Sequence, residues 1–348
     1  MRIRLSVPEV KARPDTRPSR CSRCGEQVLY RAQVHPRRRF IDTKITQAET
    51  VRYGCISCGK TFHHYPQGVT RKQHSARVVV LASLLYTLGL STDATAKVLA
   101  LLGAAISKAT VWRDAQEVGQ GLRRRHHHQG WGKVRVLGAD ETVFKVKGKE
   151  VVVGFVTNAA TGEILGADIL VDRTTRGFAK WLRRYARRVG AKVVVTDDLA
   201  TYRPAAEELG LEHQVCLPHV RRNAARRMRE IQGYEEVKEK LRQILKDLPA
   251  DGGGQLLDLA LQMKEAEPRL YSLALQLSER WQRLVLHQRV VGVPATNNVS
   301  ERAIAPSKVR YASMRGMKSD QGLLNLIALT GEIYGGAQEA RLAEALAA

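Results

Sequence analysis

Four of the five cysteines form two matched pairs, and this spacing constrains the N-terminal part of the chain more than any other feature. The pairs are Cys21-Ser-Arg-Cys24-Gly25 and Cys55-Ile-Ser-Cys58-Gly59. Two intervening residues let both thiolates of a pair reach one metal ion, and the glycine permits a tight turn that points backbone amides at sulfur. Two pairs complete the tetrahedral Cys₄ set of a zinc ribbon, whereas unrelated free cysteines are the alternative. The spacing predicts one structural Zn²⁺ ion in a closed site.

The chain carries a large excess of positive charge. Its 348 residues include 57 Lys and Arg against 34 Asp and Glu, for a formal net charge of +23. Residues 1–73 hold 16 of the basic and 5 of the acidic residues, and the run Arg37, Arg38 and Arg39 lies between the cysteine pairs. A charge this high favours a polyanionic partner, with nucleic acid first and an anionic membrane surface second. We therefore expect the three arginines to contact the DNA backbone, with an affinity that falls steeply with salt.

Membrane insertion and secretion are not expected from this sequence. The longest nearly continuous apolar run, Val78 to Leu90, spans 13 residues, a length that suits a buried helix better than a membrane span. The N-terminal residues are basic but lack the apolar segment of a secretory signal. Paired cysteines with metal-ligand spacing also fit a reducing compartment, so we expect a cytoplasmic protein.

The segment after the second cysteine pair has the pattern of short helices joined by glycine-containing turns. Its third predicted helix starts at Lys108, with Ser107 as N-cap, and ends near Val118. This arrangement matches a helix-turn-helix, whose recognition helix enters the DNA major groove. An unspecific helical bundle is the alternative. The residues expected to point outward from this helix are Lys108, Thr110, Arg113 and Asp114, and we expect the first three to contact DNA.

From Gly132 onward the pattern changes to strands and later to helices. Three β-rich runs, a helix, a strand, a helix and a strand follow one another, which is the order expected of an α/β ribonuclease H-like core. The chain is therefore predicted to be multidomain: a zinc ribbon, an all-α helix-turn-helix, and an α/β ribonuclease H-like core with an all-α insertion. The predicted segments are a basic flexible arm (1–20), the zinc ribbon (21–73), the helix-turn-helix (74–121), a linker (122–130), the first part of the core (131–218), the helical insertion (219–292) and the C-terminal helices of the core (293–348).

Three acidic residues stand where this pattern would bring them together. Asp140 closes the first predicted strand, Asp197 closes the fourth, and Glu301 lies one turn into a predicted helix. Carboxylates at strand ends point into the crevice at one edge of an α/β sheet, and carboxylate oxygens are preferred ligands of Mg²⁺. Each acid taken alone is as well explained as a cap or turn residue. Together they predict a site for two metal ions that act on a phosphodiester.

Four stretches of the sequence resemble the DDE transposases of bacterial insertion sequences. They are VRYGCISCGKTF at 51–62, VLGADET at 136–142, VVVTDDLATYRPAAEELG at 193–210 and VPATNNVSERAI at 293–304. In this family a zinc ribbon and a helix-turn-helix precede a ribonuclease H-like domain, and the resemblance extends from Cys21 over almost the whole chain. The family's catalytic acids match Asp140, Asp197 and Glu301. Their spacings of 57 and 104 residues leave room for a helical insertion before the last acid.

The resemblance implies a metal-dependent enzyme that acts on DNA. Such an enzyme cleaves transposon ends and transfers the freed 3′-OH into target DNA, using two Mg²⁺ or Mn²⁺ ions held by the three acids. Its implied partner is double-stranded DNA, bound by a homodimer or a higher assembly in the synaptic complex. The implied location is the cytoplasm, in association with the nucleoid.

Residues near the proposed catalytic acids in sequence form a second set of candidates. Cys216-Leu-Pro-His219 resembles the C-x-x-H often found after the fifth strand in related transposases, and its role stays open between a structural pair and a direct part in catalysis. Basic residues flank the crevice in sequence and are expected to bind DNA, although a solvated basic face is the simpler interpretation. They are Arg221, Arg222, Arg302, Lys308 and Arg310.

Two other functions remain compatible with the sequence. One is a DNA-binding regulator that retains the zinc ribbon and helix-turn-helix beside an inactive transposase domain. The presence of all three acids disfavours it. The other is a related nuclease that cuts without strand transfer.

Overall fold

The computed structural model describes residues 4–5, 7–128, 131–314, 316–334, 339–340 and 342. The chain divides into two compact units: unit 1 comprises Met1–Gln129 and Pro306–Ala348, and unit 2 comprises Gly130–Ala305. Parts of the predicted arm, linker and C-terminal helices lie outside the described residues, namely 1–3, 6, 129–130, 315, 335–338, 341 and 343–348.

The secondary structure is mixed α/β. None of the helices among the described residues is both long and apolar enough to cross a membrane. The elements in chain order are β1 (Arg4–Leu5), β2 (Leu29–Arg39), β3 (Gln47–Cys55), β4 (Thr61–His64), α1 (Ala76–Thr87), α2 (Thr92–Leu101), α3 (Lys108–His128), β5 (Val136–Val146), β6 (Lys149–Asn158), β7 (Ile164–Ile169), α4 (Thr175–Val189), β8 (Val193–Thr196), α5 (Tyr202–Glu208), β9 (Glu212–Val215), α6 (Leu217–Arg229), α7 (Glu235–Asp247), α8 (Gly252–Met263), α9 (Pro268–Glu279), α10 (Trp281–Leu284), α11 (Leu286–Arg289), α12 (Asn298–Ala312), α13 (Asp320–Tyr334) and β10 (Glu339–Ala340).

The cysteine-containing segment of unit 1 is built on a small antiparallel sheet of order β2-β3-β4. Its core consists of Leu29, Val51 and Tyr53 packed against Cys21 and Cys55. The cysteines are therefore part of the core as well as candidate ligands. A sheet with so few buried side chains gains little from the hydrophobic effect alone, so its stability depends on whatever joins the sulfurs.

The helices α1, α2 and α3 follow in unit 1 with the caps expected from the sequence. Ser91 Oγ accepts a hydrogen bond from the backbone N–H of Ala94 at 3.0 Å. Ser107 Oγ accepts one from the N–H of Thr110 at 3.1 Å. Gly103 adopts φ +85°, a left-handed conformation that favours glycine, in the turn before α3. The three predicted helices are therefore present in the predicted order.

Two features of unit 1 differ from the expectations. Helix α3 continues to His128, so most of the stretch expected to be a linker at 122–130 is helical. Helix α13 packs along α3, where Asn325 Nδ2 donates to Gln116 Oε1 at 2.9 Å. This packing covers one side of the long helix and explains why a polar run without apolar periodicity remains helical. It also groups residues 306–348 with unit 1, whereas the sequence assigned them to the ribonuclease H-like core.

Unit 2 contains the predicted sheet, with strand order β7-β6-β5-β8-β9. Strands β5, β6 and β7 pair antiparallel, whereas β5, β8 and β9 pair parallel. The crossover helices are α4, between β7 and β8, and α5, between β8 and β9. The succession of three strands, helix, strand, helix and strand predicted from the sequence is confirmed.

Strand β5 is longer than the sequence indicated. It was expected to end at Glu141, but it continues to Val146 and turns into β6 through Lys147 and Gly148, both at positive φ. Pairing with β8 stops at Gly138↔Val195, whereas pairing with β6 continues as far as Val146↔Lys149. Asp140 therefore lies inside a strand, just beyond the point where one of its two neighbouring strands has ended.

The helices after β9 pack around a core of their own. Helices α6 to α10 bury Leu241, Leu256, Leu270 and Trp281, among others, in one cluster that also includes Val215 of β9. The segment predicted as a helical insertion is thus helical, and its core is continuous with the edge strand of the sheet.

Candidate active site and metal-ligand clusters

The four paired cysteines meet in one cluster in unit 1. The Sγ atoms of Cys21 and Cys58 are 3.9 Å apart, and those of Cys24 and Cys55 are 3.6 Å apart. All four sulfur atoms lie within 4.8 Å of one another. Four sulfurs around a zinc ion with bonds of about 2.3 Å would be separated by about 3.8 Å, so this set fits Zn²⁺.

Two similar turns bring these sulfurs together. Gly25 N–H donates to the Cys21 carbonyl and Gly59 N–H to the Cys55 carbonyl, each at 3.0 Å. Both glycines have positive φ, +77° and +65°, as the sequence predicted for the residue after each pair. Hydrogen bonds from the backbone amides of Cys24 and Arg23 lower the pKa of the Cys21 thiol to about 7, which favours the thiolate that a metal requires.

Strand register in unit 2 places two of the predicted acids side by side. The parallel pairing of β5 and β8 ends at Gly138↔Val195, and two residues further along each strand come Asp140 and Asp197. Side chains alternate along a strand, so these acids share the sheet face of Val136, Val193 and Val195, which form one buried cluster. Neighbouring strands run about 4.8 Å apart, which is close enough for both carboxylates to bind the same metal centre.

Helix α12 brings the third acid to that face. The absence of a side chain at Gly138 lets the helix approach, since a Cβ there would overlap Ser300 Oγ. Asn297, just before the helix, donates from Nδ2 to the Ala139 carbonyl at 3.0 Å. Glu301 N–H in turn donates to the Asn297 carbonyl at 3.1 Å. The side chain of Asn297 thus ties the first turn of α12, which carries Glu301, to the strand that carries Asp140.

The electrostatics of this edge favour a bound cation. Burial raises the pKa of Asp197, and the carboxylates of Asp198 and Glu301 raise it further, against the opposing hydrogen bond from the Leu199 amide. A divalent cation would relieve this repulsion, and the all-oxygen donor set suits Mg²⁺ or Mn²⁺. The oxygen donors of Asp140, Asp197 and Glu301 are of the kind that Mg²⁺ or Mn²⁺ takes, so these acids stay the candidate ligands of such an ion.

Asp198 is bound differently from its neighbour. It forms an ion pair with Arg280 and accepts a hydrogen bond from Asn223 Nδ2 at 3.1 Å. An acid already paired in this way has less capacity for a metal ion. This contrast favours Asp197 over Asp198 as the metal ligand, in agreement with the motif spacing in the sequence.

The C-x-x-H pair lies against the third acid. Cys216, at the end of β9, and His219, in the first turn of α6, form with Glu301 a group whose ligand atoms lie within 4.8 Å of one another. His219 Nε2 is 3.7 Å from Glu301 Oε1. Cys216 Sγ accepts a hydrogen bond from the Asn297 N–H at 3.2 Å. The motif that the sequence left without a role is thus adjacent to the proposed catalytic glutamate.

A buried acid on the opposite face of β5 was missed in the sequence. Glu141 accepts a hydrogen bond from the hydroxyl of Tyr202, and burial raises the pKa of the Glu141 carboxyl. The aromatic residue that follows Asp197 at the family's spacing therefore contacts the residue next to Asp140. The motif contained both positions, but their contact depends on how α5 packs on the sheet.

An arginine-lined pocket beside Asp197 was also missed. Its volume is about 330 Å³, and its wall includes Asp197, Arg203, Arg280 and Arg283. Burial, together with the charges of Arg203 and Arg280, lowers the pKa of Arg283 to about 10. The three arginines come from different elements and are far apart in sequence, so no local pattern indicated them. Asp198 and Glu279 also line the pocket, and Arg280 and Arg203 are paired with Asp198 and Glu207, so Arg283 is the candidate to bind an anion.

Several predicted DNA contacts lie on exposed positions. Lys108 and Arg113 are exposed on the N-terminal half of α3, and Thr110 lies between them, half-buried. Of the remaining candidates, those exposed are Arg37, Arg39, Arg221, Arg222, Arg302 and Lys308. Arg221 is held at the same time by the carbonyls of Leu245 and Lys246.

Three basic or acidic candidates are placed differently. Arg310 is only 6% exposed, and its guanidinium donates to the carbonyls of Tyr86 and Leu90, so an internal role replaces the predicted DNA contact. Asp114 was expected to point outward but is buried and paired with Lys72 Nζ at 3.0 Å. Arg38 donates to three backbone carbonyls at Thr70–Lys72, which limits its availability to DNA.

Among solved structures, the catalytic core domain of BIV integrase matches at 12% identity over 47% of this chain and 91% of that chain. Its TM-score of 0.21 is too low to carry an argument. No curated protein matches the chain. The family model of the IS66 transposases matches residues 67–250, which are just over half of the chain and include Asp140 and Asp197. The chain therefore belongs to the IS66 family of transposases.

Proposed function

We propose that this chain is a DDE transposase that cleaves DNA at transposon ends and joins the freed ends to target DNA. The observation that supports the proposal is the register of β5 and β8, from which we infer that Asp140 and Asp197 lie side by side on the sheet face that Ser300 of α12 meets at Gly138. Glu301 then comes from the first turn of that helix. Three acids from separate elements on one face are what a metal-dependent phosphoryl-transfer site requires.

The protein's part in this reaction is to position charge. Asp140, Asp197 and Glu301 would hold the metal ions, and rigid strands keep two of these ligands at a fixed separation. When bound, two Mg²⁺ or Mn²⁺ ions stabilise the attacking and leaving oxygens of an in-line displacement. Asn297 orients the first turn of α12, and Arg283 would attract a phosphate of the DNA backbone beside Asp197.

The proposed reaction has two steps and no covalent protein intermediate. In the first, a water oxygen attacks a phosphorus atom at the transposon end, the P–O3′ bond breaks, and a 3′-OH is released. In the second, that 3′-OH attacks a phosphorus atom of the target, and the target's own P–O3′ bond breaks. Each step exchanges one P–O bond for another, so no oxidant or nucleotide cofactor is needed.

Unit 1 would supply the affinity for double-stranded DNA. Its candidates are the exposed residues Lys108 and Arg113 on α3 and Arg37 and Arg39 on β2. One structural Zn²⁺ ion held by the four cysteines would maintain the ribbon. A protein that joins two ends is expected to act as a homodimer or larger assembly on chromosomal DNA.

The proposal is tested by cleavage of DNA that carries the element's own ends, with Mg²⁺ or Mn²⁺. Asp140→Asn, Asp197→Asn and Glu301→Gln should each reduce cleavage at least about a thousandfold while DNA binding persists, because metal-held charge stabilises the transition state. Asp198→Asn is the matched control, with a much smaller loss expected. Single variants that cut at the wild-type rate would contradict the assignment. Joined products separate strand transfer from simple hydrolysis.

A further inference from the structure

Cys216, His219 and Glu301 form a ligand group that the proposed reaction does not use as a unit. Cys216 ends the turn after β9 and immediately precedes α6, His219 follows in the first turn of that helix, and Glu301 comes from α12. Their Sγ, imidazole nitrogen and carboxylate oxygen lie within 4.8 Å of one another. These three donor types recur together in zinc sites, whereas Mg²⁺ prefers oxygen alone.

The distances are close to those of a coordinated ion. With bonds of about 2.0–2.3 Å, tetrahedral zinc ligands are separated by about 3.3–3.8 Å. His219 Nε2 and Glu301 Oε1 are already 3.7 Å apart. The cysteine sulfur lies within 4.8 Å of both other ligand atoms. The Cys₄ cluster, whose sulfur separations are 3.6 and 3.9 Å, has the same scale.

One ring nitrogen of His219 has no hydrogen-bond partner among the described residues. This atom, Nδ1, is buried, and Nε2 lies beyond hydrogen-bond distance of Glu301. Buried polar atoms are normally paired, so an imidazole held in this way needs another explanation. A metal ion bound to one ring nitrogen would supply it.

The sulfur of Cys216 accepts a backbone hydrogen bond, as a zinc-ribbon sulfur does, but burial raises the pKa of the Cys216 thiol, so a metal ion must displace its proton. Cys216 Sγ accepts the backbone N–H of Asn297 at 3.2 Å, as Cys21 Sγ accepts that of Arg23 at 3.4 Å. It also lies at the N-terminus of α6, where backbone amides stabilise negative charge. The side chains of His219 and Glu301 are 29% and 43% exposed, so an ion can enter from their side and retain a water molecule as fourth ligand.

We propose that Cys216, His219 and Glu301 bind Zn²⁺ and that this ion withdraws Glu301 from the catalytic set, so that zinc switches the active site off. The inhibitory effect rests on the proposed function, whereas the binding of zinc does not. Glu301 is the shared ligand, since it belongs both to the carboxylate group and to the cysteine–histidine group. Zinc and magnesium therefore compete for one side chain, with zinc favoured by the sulfur and nitrogen donors.

Metal binding is tested with Co²⁺ as a spectroscopic probe. The full chain is first loaded with Zn²⁺ at the Cys₄ cluster, cleared of weakly held metal with a mild chelator, and then titrated with Co²⁺. We expect about one further equivalent to bind with a thiolate-to-cobalt absorption band, because Cys216 is a ligand. Cys216→Ser should abolish the band, and His219→Asn and Glu301→Gln should weaken binding at least about tenfold.

A matched control comes from another half-buried histidine of unit 2. His287 contacts the Leu284 carbonyl through Nδ1 and belongs to neither ligand group, so His287→Asn should leave the cobalt band unchanged. Unfolding temperatures of all variants separate ligand loss from misfolding. The site is refuted if the wild type shows no thiolate band, or if the band persists in Cys216→Ser.

Inhibition is tested by DNA cleavage at fixed Mg²⁺ with increasing Zn²⁺. The zinc concentration that halves wild-type cleavage should rise at least about tenfold in Cys216→Ser, measured relative to that variant's own rate without zinc. Equal zinc sensitivity in both proteins would overturn the switch and would point to general displacement of Mg²⁺. Cobalt binding without any DNA cleavage would leave the site intact and contradict the proposed function. DNA cleavage without cobalt binding would support the proposed function and refute the zinc site.

Discussion

The Cys₄ cluster of unit 1 and the carboxylate group of unit 2 both collect metal ligands, but they are assembled in different ways. The cysteines come from two short turns, and their sulfurs are already at mutual distances of 3.6–3.9 Å. The carboxylates come from β5, from the residue after β8 and from α12, at spacings of 57 and 104 residues. The first set is complete without any other group, whereas the second leaves coordination positions for substrate.

The hydrophobic cores around the two ligand groups also differ. The ribbon core consists of a few side chains and includes Cys21 and Cys55 themselves, so it has little apolar area to bury without a metal. Unit 2 buries a large cluster with aromatic side chains and a smaller aliphatic cluster against its sheet, and these hold the strands in place whether or not an ion is bound. A metal at the first site therefore contributes to folding, and a metal at the second contributes to chemistry.

The largest expected effect follows from the removal of one cysteine of the Cys₄ cluster. Cys55→Ser should unfold β2, β3 and β4, because the free energy of zinc binding, about 10–16 kcal/mol in small zinc domains, exceeds what this core supplies. Hydrogen exchange should show lost amide protection in these strands and unchanged protection in β5 and β8. Ser57→Ala, in the same turn, is the control and should retain protection. If the amides of β2, β3 and β4 stay protected in Cys55→Ser, the metal is not needed for folding of the ribbon, and the proposed difference between the two sites is wrong.

Asn297→Ala tests whether the carboxylate group depends on the hydrogen bond that orients α12. Asn297 is buried, and its side chain links α12 to the Ala139 carbonyl. Loss of this hydrogen bond leaves that carbonyl unpaired and lets Glu301 drift, so cleavage should fall about 10–100-fold and the Mg²⁺ concentration for half-maximal rate should rise. Asn298→Ala is the control within the same motif. Equal rates for the two variants would show that Asn297 does not position the site.

The difference between local and non-local assembly also explains which features could be predicted from the sequence. The cysteine ligands are set by local spacing, so residue pattern alone located them and the positive-φ glycines beside them. The sequence predicts strand ends at Asp140 and Asp197. Asp197 does follow β8, whereas Asp140 lies inside β5, whose extension depends on pairing with β6. Non-local pairing of this kind has no signature in one strand's own pattern.

Features created by packing between distant segments were missed for the same reason. The polar run after Leu122 has no helical periodicity, and it remains in α3 because α13 covers one side of that helix. Asp114 was misplaced because its partner, Lys72, lies 42 residues earlier. The arginine pocket combines α5 with the chain around α10, so none of its members was distinguishable from a solvated surface charge.

Arg283→Gln tests whether that pocket extends the open site toward DNA. Burial and two neighbouring arginines lower the pKa of Arg283, and Glu207 and Asp198 offset this only in part, so a phosphate would stabilise its charge further. The variant should weaken DNA binding about tenfold or less and reduce the slope of log K against log salt by about one. Arg229→Gln, an exposed arginine of α6, should change both quantities less. An unchanged salt slope in Arg283→Gln would exclude a phosphate contact there.

The smallest expected effect is a change in unfolding temperature when one ligand is removed. This change has opposite signs at the Cys₄ cluster and at the carboxylate group, so it distinguishes the two sites. Burial and nearby carboxylates raise the pKa of Asp197 in the folded state. The protonated carboxyl therefore contributes to stability below the unfolded-state pKa, and this contribution is lost as pH rises through the folded-state pKa. At neutral pH without divalent ions, Asp197→Asn should therefore increase the unfolding temperature, and the increase should vanish below about pH 4. Mg²⁺ should then stabilise the wild type more than the variant. Removal of a ligand unfolds the ribbon but stabilises unit 2, because only the carboxylates repel one another until a cation binds.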